Sequence, residues 1–129
     1  MRIVGHGVDL VEVCRIAKLL EEHGEQFLER CFTAEERVYG KGSRRYAEHL
    51  AARFAAKEAA FKALGTGLSE GLAWTDIRVV NEPSGKPTLD LHRAARDLAI
   101  RIGADQWWIS LSHTDTHAMA SVIAVRSRD

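Results

Sequence analysis

The sequence predicts an α+β fold, a mostly antiparallel sheet packed against one long Ala-rich helix, in a single small domain covering residues 1–129. Three observations predict it. "RFAAKEAAFKALGTG" (53–67) has a helical period, with Leu50, Phe54, Lys57, Phe61 and Leu64 on one stripe and Ala around most of the remaining surface. Two pairs of strand-like segments, "DIRVV" with "PTLDL" and "WWISLS" with "AMASVIAV", are each joined by a short polar loop. No repeat, low-complexity tract or linker interrupts a length that suits one core.

Each element follows in order. "RIVGHGVDL" reads as a strand whose Gly5 and Gly7 let another backbone pass close by. Asp9 then precedes a helix over about 10–23, with Leu10, Val13, Ile16, Ala17 and Leu20 at helical spacing and Gly24 as its stop. Asp9 and Glu12 have the spacing of a capping box, and so do Thr33 and Glu36 in "TAEE", which opens a second helix. The Ala-rich helix runs from about 46 to 64 and ends at "GTG". "NEPSGK" carries the turn residues of a hairpin, "HRAARDLAIRIGA" is amphipathic and closes at Gly103, and "HTDTH" links the last two strands.

Composition excludes several classes. Hydrophobic residues make up 46% and charged residues 28%, ordinary for a soluble globular protein, and the formal net charge is zero. No overall field draws nucleic acid or an anionic membrane, and no apolar run approaches the ~20 residues of a membrane span. The first ten residues lack the pattern of a signal peptide. Cys14 and Cys31 lie in apolar contexts without CxxC spacing, which fits buried, reduced thiols in a cytoplasmic protein.

The charges inside the long helix ask for an explanation. Lys57 lies near the centre of the apolar stripe, where it fits either a core lysine extending its ammonium to the rim or a phosphate contact. Glu58 and Lys62 flank that stripe at i,i+4, a spacing that serves a simple surface pair equally well. Asp9 admits a helix-cap reading. Taken together, Asp9 at a strand-to-helix junction, Glu58 with Lys62, and the glycine-rich helix end admit another reading, a receptacle for a diphosphate held through Mg²⁺. Mg²⁺ suits such a site because it takes one or two protein carboxylates and completes its shell with water and phosphate oxygens.

Five segments in order resemble the holo-acyl-carrier-protein synthases, the short type of 4′-phosphopantetheinyl transferase. They are "GHGVDLVEVCRI", "FTAEE" followed by Tyr39, "RFAAKEAAFKALGTG", "DIRVVNEPSGKP" and "ISLSHTDTHAMA". His6 departs from the small aliphatic residue common at its position. The resemblance implies transfer of 4′-phosphopantetheine from coenzyme A to a serine of apo acyl carrier protein, in support of fatty acid biosynthesis. It implies Mg²⁺ on Asp9 and Glu58, catalytic roles for Asp9, Glu58, Lys62 and His113, and a phosphate contact by Lys62. Coenzyme A would further meet Arg45, Arg53 and Gly65, and also Lys86, Pro87 and His113. The proton acceptor stays open among water on the ion, Glu58 or Asp9 acting through water, and His113.

Partners follow from the same resemblance. The family is typically a homotrimer with coenzyme A held between subunits, and the acidic carrier would be steered by Arg15 and Lys18 on the first helix. A Mg²⁺-dependent phosphohydrolase acting on a diphosphate such as coenzyme A is the alternative reading of the same carboxylates.

Overall fold

The computed structural model describes residues 1–65 and 71–128. Alternation of small or apolar with exposed residues makes β1 (Arg2–Glu12) a strand with two faces. Gly7, Asp9 and Val11 point inward, while His6, Val8 and Leu10 point out. Helices α1 (Val13–His23), α2 (Glu25–Cys31), α3 (Ala34–Val38) and the 18-residue α4 (Tyr46–Ala63) follow. A 3₁₀ turn (Trp74–Asp76) leads into β2 (Ile77–Asn81), β3 (Pro87–Leu91), α5 (Arg93–Ile102), β4 (Gln106–His113) and β5 (His117–Arg126). The larger sheet is antiparallel in the order β1-β5-β4, and β2 and β3 pair as a separate antiparallel hairpin.

Helix α4 lies across the inner face of β1 and β5. It gets close because of two glycines. A Cβ at Gly5 would overlap the Ala63 carbonyl oxygen, and one at Gly7 would overlap that of Ala59. Ala51, Ala55, Ala56, Ala59 and Ala60 are fully buried, so small side chains on both elements set the spacing. A second layer gathers Phe27, Phe32, Phe54 and Trp74, with Phe54 and Trp74 stacked 4.6 Å apart.

Four sequence expectations need correction. β1 continues to Glu12, so Asp9 sits inside a strand opposite Ala120 and caps no helix. α1 begins at Val13, preceded by Glu12 with no side-chain cap. The ladder with β5 satisfies this backbone, leaving no orphan N–H for the Asp9 carboxylate to serve. Residues 25–31 form a further helix directly after Gly24, whose φ of 52° turns the chain without spending a loop. Cys14 is exposed on α1, and Cys31 is buried. The Thr33–Glu36 capping box forms as its spacing predicts, and Thr66 and Gly67 of "GTG" lie outside the described residues.

Lys57 belongs to the core. Its ammonium is wholly buried, 2.6 Å from Glu36 Oε1, and donates to the Trp74 carbonyl at 3.1 Å. The Glu36 carboxylate also accepts the backbone N–H of Thr33 at 2.8 Å and of Val79 at 2.6 Å. One buried ion pair therefore ties α3, α4, β2 and the 3₁₀ turn together, each partner's charge offset by the other.

Among the described residues nothing covers the outer face of the three-stranded sheet. Val8, Leu10, Trp108 and Met119 are exposed there, with Leu10 opposite Met119 and Ile123 between His6 and Trp108. Among the described helices none is long and apolar enough to cross a membrane.

Candidate active site

Asp9 and Glu58 meet because β1 passes the C-terminal half of α4. Asp9 is nearly buried, with Oδ1 3.2 Å from Lys62 Nζ, and its buried Oδ2 has no hydrogen-bond partner among the described residues. Lys62 Nζ also donates to the Val8 carbonyl at 2.9 Å, which fixes the ammonium beside the pair while leaving it more than half exposed. The Glu58 carboxyl is pushed above the usual carboxylate range, first by burial and then by the neighbouring Asp9 charge, with Arg15 and Lys62 pulling the other way. Two carboxylates thus share one partly dry place beside two cations, and one acidic oxygen is unsatisfied.

Such an arrangement fits a divalent cation. No group of three or more His, Cys, Asp or Glu side chains among the described residues is placed to hold a metal. A pair is what remains, and a pair matches a hard ion whose other ligands are water and phosphate. The orphaned Asp9 oxygen and the disfavoured ionisation of Glu58 are both relieved by a positive charge placed between them.

A second cluster lies on the other half of α4. His113, near the end of β4, directs Nδ1 to Glu48 Oε1 at 3.3 Å, and its ring lies 6.4 Å from that of His49. Burial, followed by the Arg53 charge, holds His49 below the ordinary histidine value. Arg53 is buried, with its guanidinium 3.8 Å from the centre of the Tyr39 ring and its Nε unpartnered. Tyr39, His49, Arg53 and His113 line a cleft of about 370 Å³ bounded by Asn81, Gly85 and Pro87 of the β2–β3 hairpin and by Ile109, Ser110 and Leu111 of β4. Arg45 is exposed just before α4, and Lys86 is exposed at the hairpin tip. Gly65, just past the end of α4, has φ of 88° with open space where a Cβ would stand.

Within one chain the structure does not bring His113 to Asp9 and Glu58. Glu48, its partner, is ten residues from Glu58, about 15 Å along the helix. Within one chain these residues fall in two groups, His113 beside Glu48 and Asp9 with Glu58 and Lys62.

Arg15 joins the carboxylates to a third feature. It lies over Phe54 at 5.8 Å and rims a groove of about 470 Å³ floored by Phe27, Phe54 and Trp74, with Arg30 and His23 on the rim. Lys18 takes no part in the groove; it is exposed and lies 3.9 Å from Glu22. The sequence reading did not find Phe27, Trp74 and Arg30 for this groove, or Tyr39 and His49 for the cleft. The one available signal was the i,i+3,i+4 spacing of His49, Ala52 and Arg53, which sets them on one helix face.

A model of the 4′-phosphopantetheinyl transferase superfamily matches residues 5–121. The holo-[acyl-carrier-protein] synthase of Koribacter versatilis is 46% identical over 121 residues, 94% of this chain and 97% of that protein. Among solved structures, the holo-[acyl-carrier-protein] synthase of Neisseria meningitidis superposes with a TM-score of 0.86 at 32% identity, covering 95% of this chain and 98% of that one. The Helicobacter pylori synthase, solved in complex with coenzyme A, gives 0.81 at 30% identity, covering 93% and 99%. None of these three supports the phosphohydrolase alternative.

Proposed function

This chain belongs to the 4′-phosphopantetheinyl transferase superfamily, and from that premise we infer that it is a holo-[acyl-carrier-protein] synthase. It moves 4′-phosphopantetheine from coenzyme A to a serine of apo acyl carrier protein, in support of fatty acid biosynthesis. The serine oxygen bonds to the phosphorus that bears pantetheine. The bond from that phosphorus to the bridging oxygen breaks, the hydroxyl gives up its proton, and adenosine 3′,5′-bisphosphate leaves with the bond's electrons.

The observation that carries the reading is the meeting of Asp9, Glu58 and Lys62, with one buried Asp9 oxygen unpartnered among the described residues. Phosphoryl transfer asks a protein for positioning and charge neutralisation more than for covalent chemistry. Lys62, tethered through the Val8 carbonyl, sets a fixed cation where charge gathers on the phosphate oxygens. Asp9 and Glu58 would hold Mg²⁺, which when bound neutralises the diphosphate and polarises the phosphorus under attack. Arg15 sits between the carboxylates and the apolar groove, so a carrier helix seated on Phe27, Phe54 and Trp74 would bring its serine beside them.

The nucleotide half of coenzyme A is assigned to the cleft of Arg53, His113, Gly85 and Pro87. Ribose and 5′-diphosphate are separated by only a few bonds, less than the ~15 Å of helix between Glu48, which holds His113, and Glu58. The two half-sites therefore act together only when the cleft of one subunit adjoins the carboxylates of another. The uncovered sheet face around Val8, Leu10 and Met119 supports such an assembly, which we take to be a homotrimer. Free Cys14 and Cys31 agree with a reducing cytoplasm.

Incubation with coenzyme A, Mg²⁺ and apo carrier tests the activity. The expected result is a mass gain of one phosphopantetheine group on the carrier. Free phosphopantetheine with unmodified carrier would instead establish hydrolysis.

A further inference from the structure

The tip of the β2–β3 hairpin has little to hold it. Glu82, Pro83, Ser84, Gly85 and Lys86 are all exposed, whereas the strands are anchored lower down by buried Ile77, Val79 and Leu89. Backbone bonds from Gly85 N to Glu82 O and from Glu82 N to Lys86 O shape the turn itself. They do not fix where the turn points, and a two-stranded ribbon is marginal on its own. The nearest strand, β4, pairs with β5 and offers the hairpin no ladder. A side-chain contact crosses from the tip to β4, with the Lys86 ammonium 4.6 Å from the centre of the half-exposed Trp108 ring.

The location of this contact matters. Gly85 and Pro87, on either side of Lys86, line the 370 Å³ cleft, and so does Ser110, two residues along β4 from Trp108. We propose that Trp108 is a positioning residue for nucleotide recognition: its indole face holds Lys86, and with it the hairpin tip, against β4, fixing the mouth of the cleft. The proposal rests on assigning that cleft to the nucleotide half of coenzyme A. Trp108 touches no substrate atom and acts wholly through Lys86. Tryptophan has the strongest ring quadrupole for a cation, phenylalanine a weaker one and leucine none, so the effect is graded across those three residues.

Calorimetric titration of adenosine 3′,5′-bisphosphate into the full-length assembled protein tests this, with light scattering on each variant. Trp108→Leu is expected to weaken binding about three- to tenfold, and Trp108→Phe less, with the assembly mass unchanged. In a Lys86→Met background, Trp108→Leu is expected to add nothing. Equal losses in both backgrounds, no loss from Trp108→Leu, or a loss that accompanies a smaller assembly would each overturn the proposal. A parent protein that binds no bisphosphate overturns the cleft assignment as well, whereas a parent that binds it, with additive losses, overturns the proposal alone.

Discussion

Lys57→Met asks whether the charge in the middle of α4 serves structure or chemistry. The substitution keeps the length and apolar stem of the side chain and deletes the ammonium. Glu36, fully buried, then loses the cation 2.6 Å away, and the Trp74 carbonyl loses its donor. Breaking a buried pair from one side costs ~3–5 kcal/mol, a large share of the ~5–15 kcal/mol that holds a domain together. Over 129 residues the unfolding entropy is about 0.27 kcal/mol/K, so the melting temperature should fall by about 11–18 °C. Adding Glu36→Gln removes the stranded charge. It does not restore the parent, because one glutamine oxygen cannot replace both Glu36 oxygens at the N–H groups of Thr33 and Val79. The double variant should melt between the two. Thermal denaturation by circular dichroism, with turnover measured well below the transition, decides the matter. A variant that melts like the parent yet loses a hundredfold in kcat would refute the structural assignment and return Lys57 to the phosphate.

Glu58→Gln should reduce transfer by at least two orders of magnitude, yet raise the metal-free melting temperature at pH 7. The folded state binds the Glu58 proton more tightly than the unfolded chain does, so ionisation costs stability as the pH rises through its pKa, and glutamine escapes that cost. By the same sign, stabilisation of the parent by Mg²⁺ should fade as the pH drops into the raised range of Glu58; a lower melting temperature for the variant at pH 7 would contradict this. Gly7→Ala should destabilise by about 1–3 kcal/mol in denaturant titration, since its methyl overlaps the Ala59 carbonyl, and an unchanged midpoint would dispute the close approach of β1 to α4. Arg15→Glu should raise KM for the carrier much more than KM for coenzyme A, and Lys18→Glu should change neither by more than about twofold, because Lys18 lies off the groove. Subunits bearing Glu58→Gln and subunits bearing His113→Ala, each inactive alone, should recover turnover when mixed and reassembled; no recovery would place both half-sites within one chain.

Which parts of the molecule were legible in advance depends on how far each signal reaches along the chain. Periods of 3.6 and 2 residues located α4, α5 and both hairpins, and the Thr33–Glu36 box formed where its spacing required, because neighbours in sequence settle such features. The helix-cap reading that Asp9 admits rests on the same local logic and fails, because Asp9 lies within β1. Cap and strand are both open to a carboxylate after an alternating run, and the pairing with β5, more than a hundred residues away, decided between them.

From the sequence alone came the α+β class, residue types that admit a Mg²⁺–diphosphate site and the five segments that carry the family resemblance. Only the tertiary structure decided which charges meet. It paired Lys57 with Glu36 in the core, Asp9 with Lys62 and Glu58 in a partly buried pocket, and His113 with Glu48 about 15 Å of helix away. Electrostatic pairing depends on distance and burial in space, and neither leaves a periodic trace along the chain.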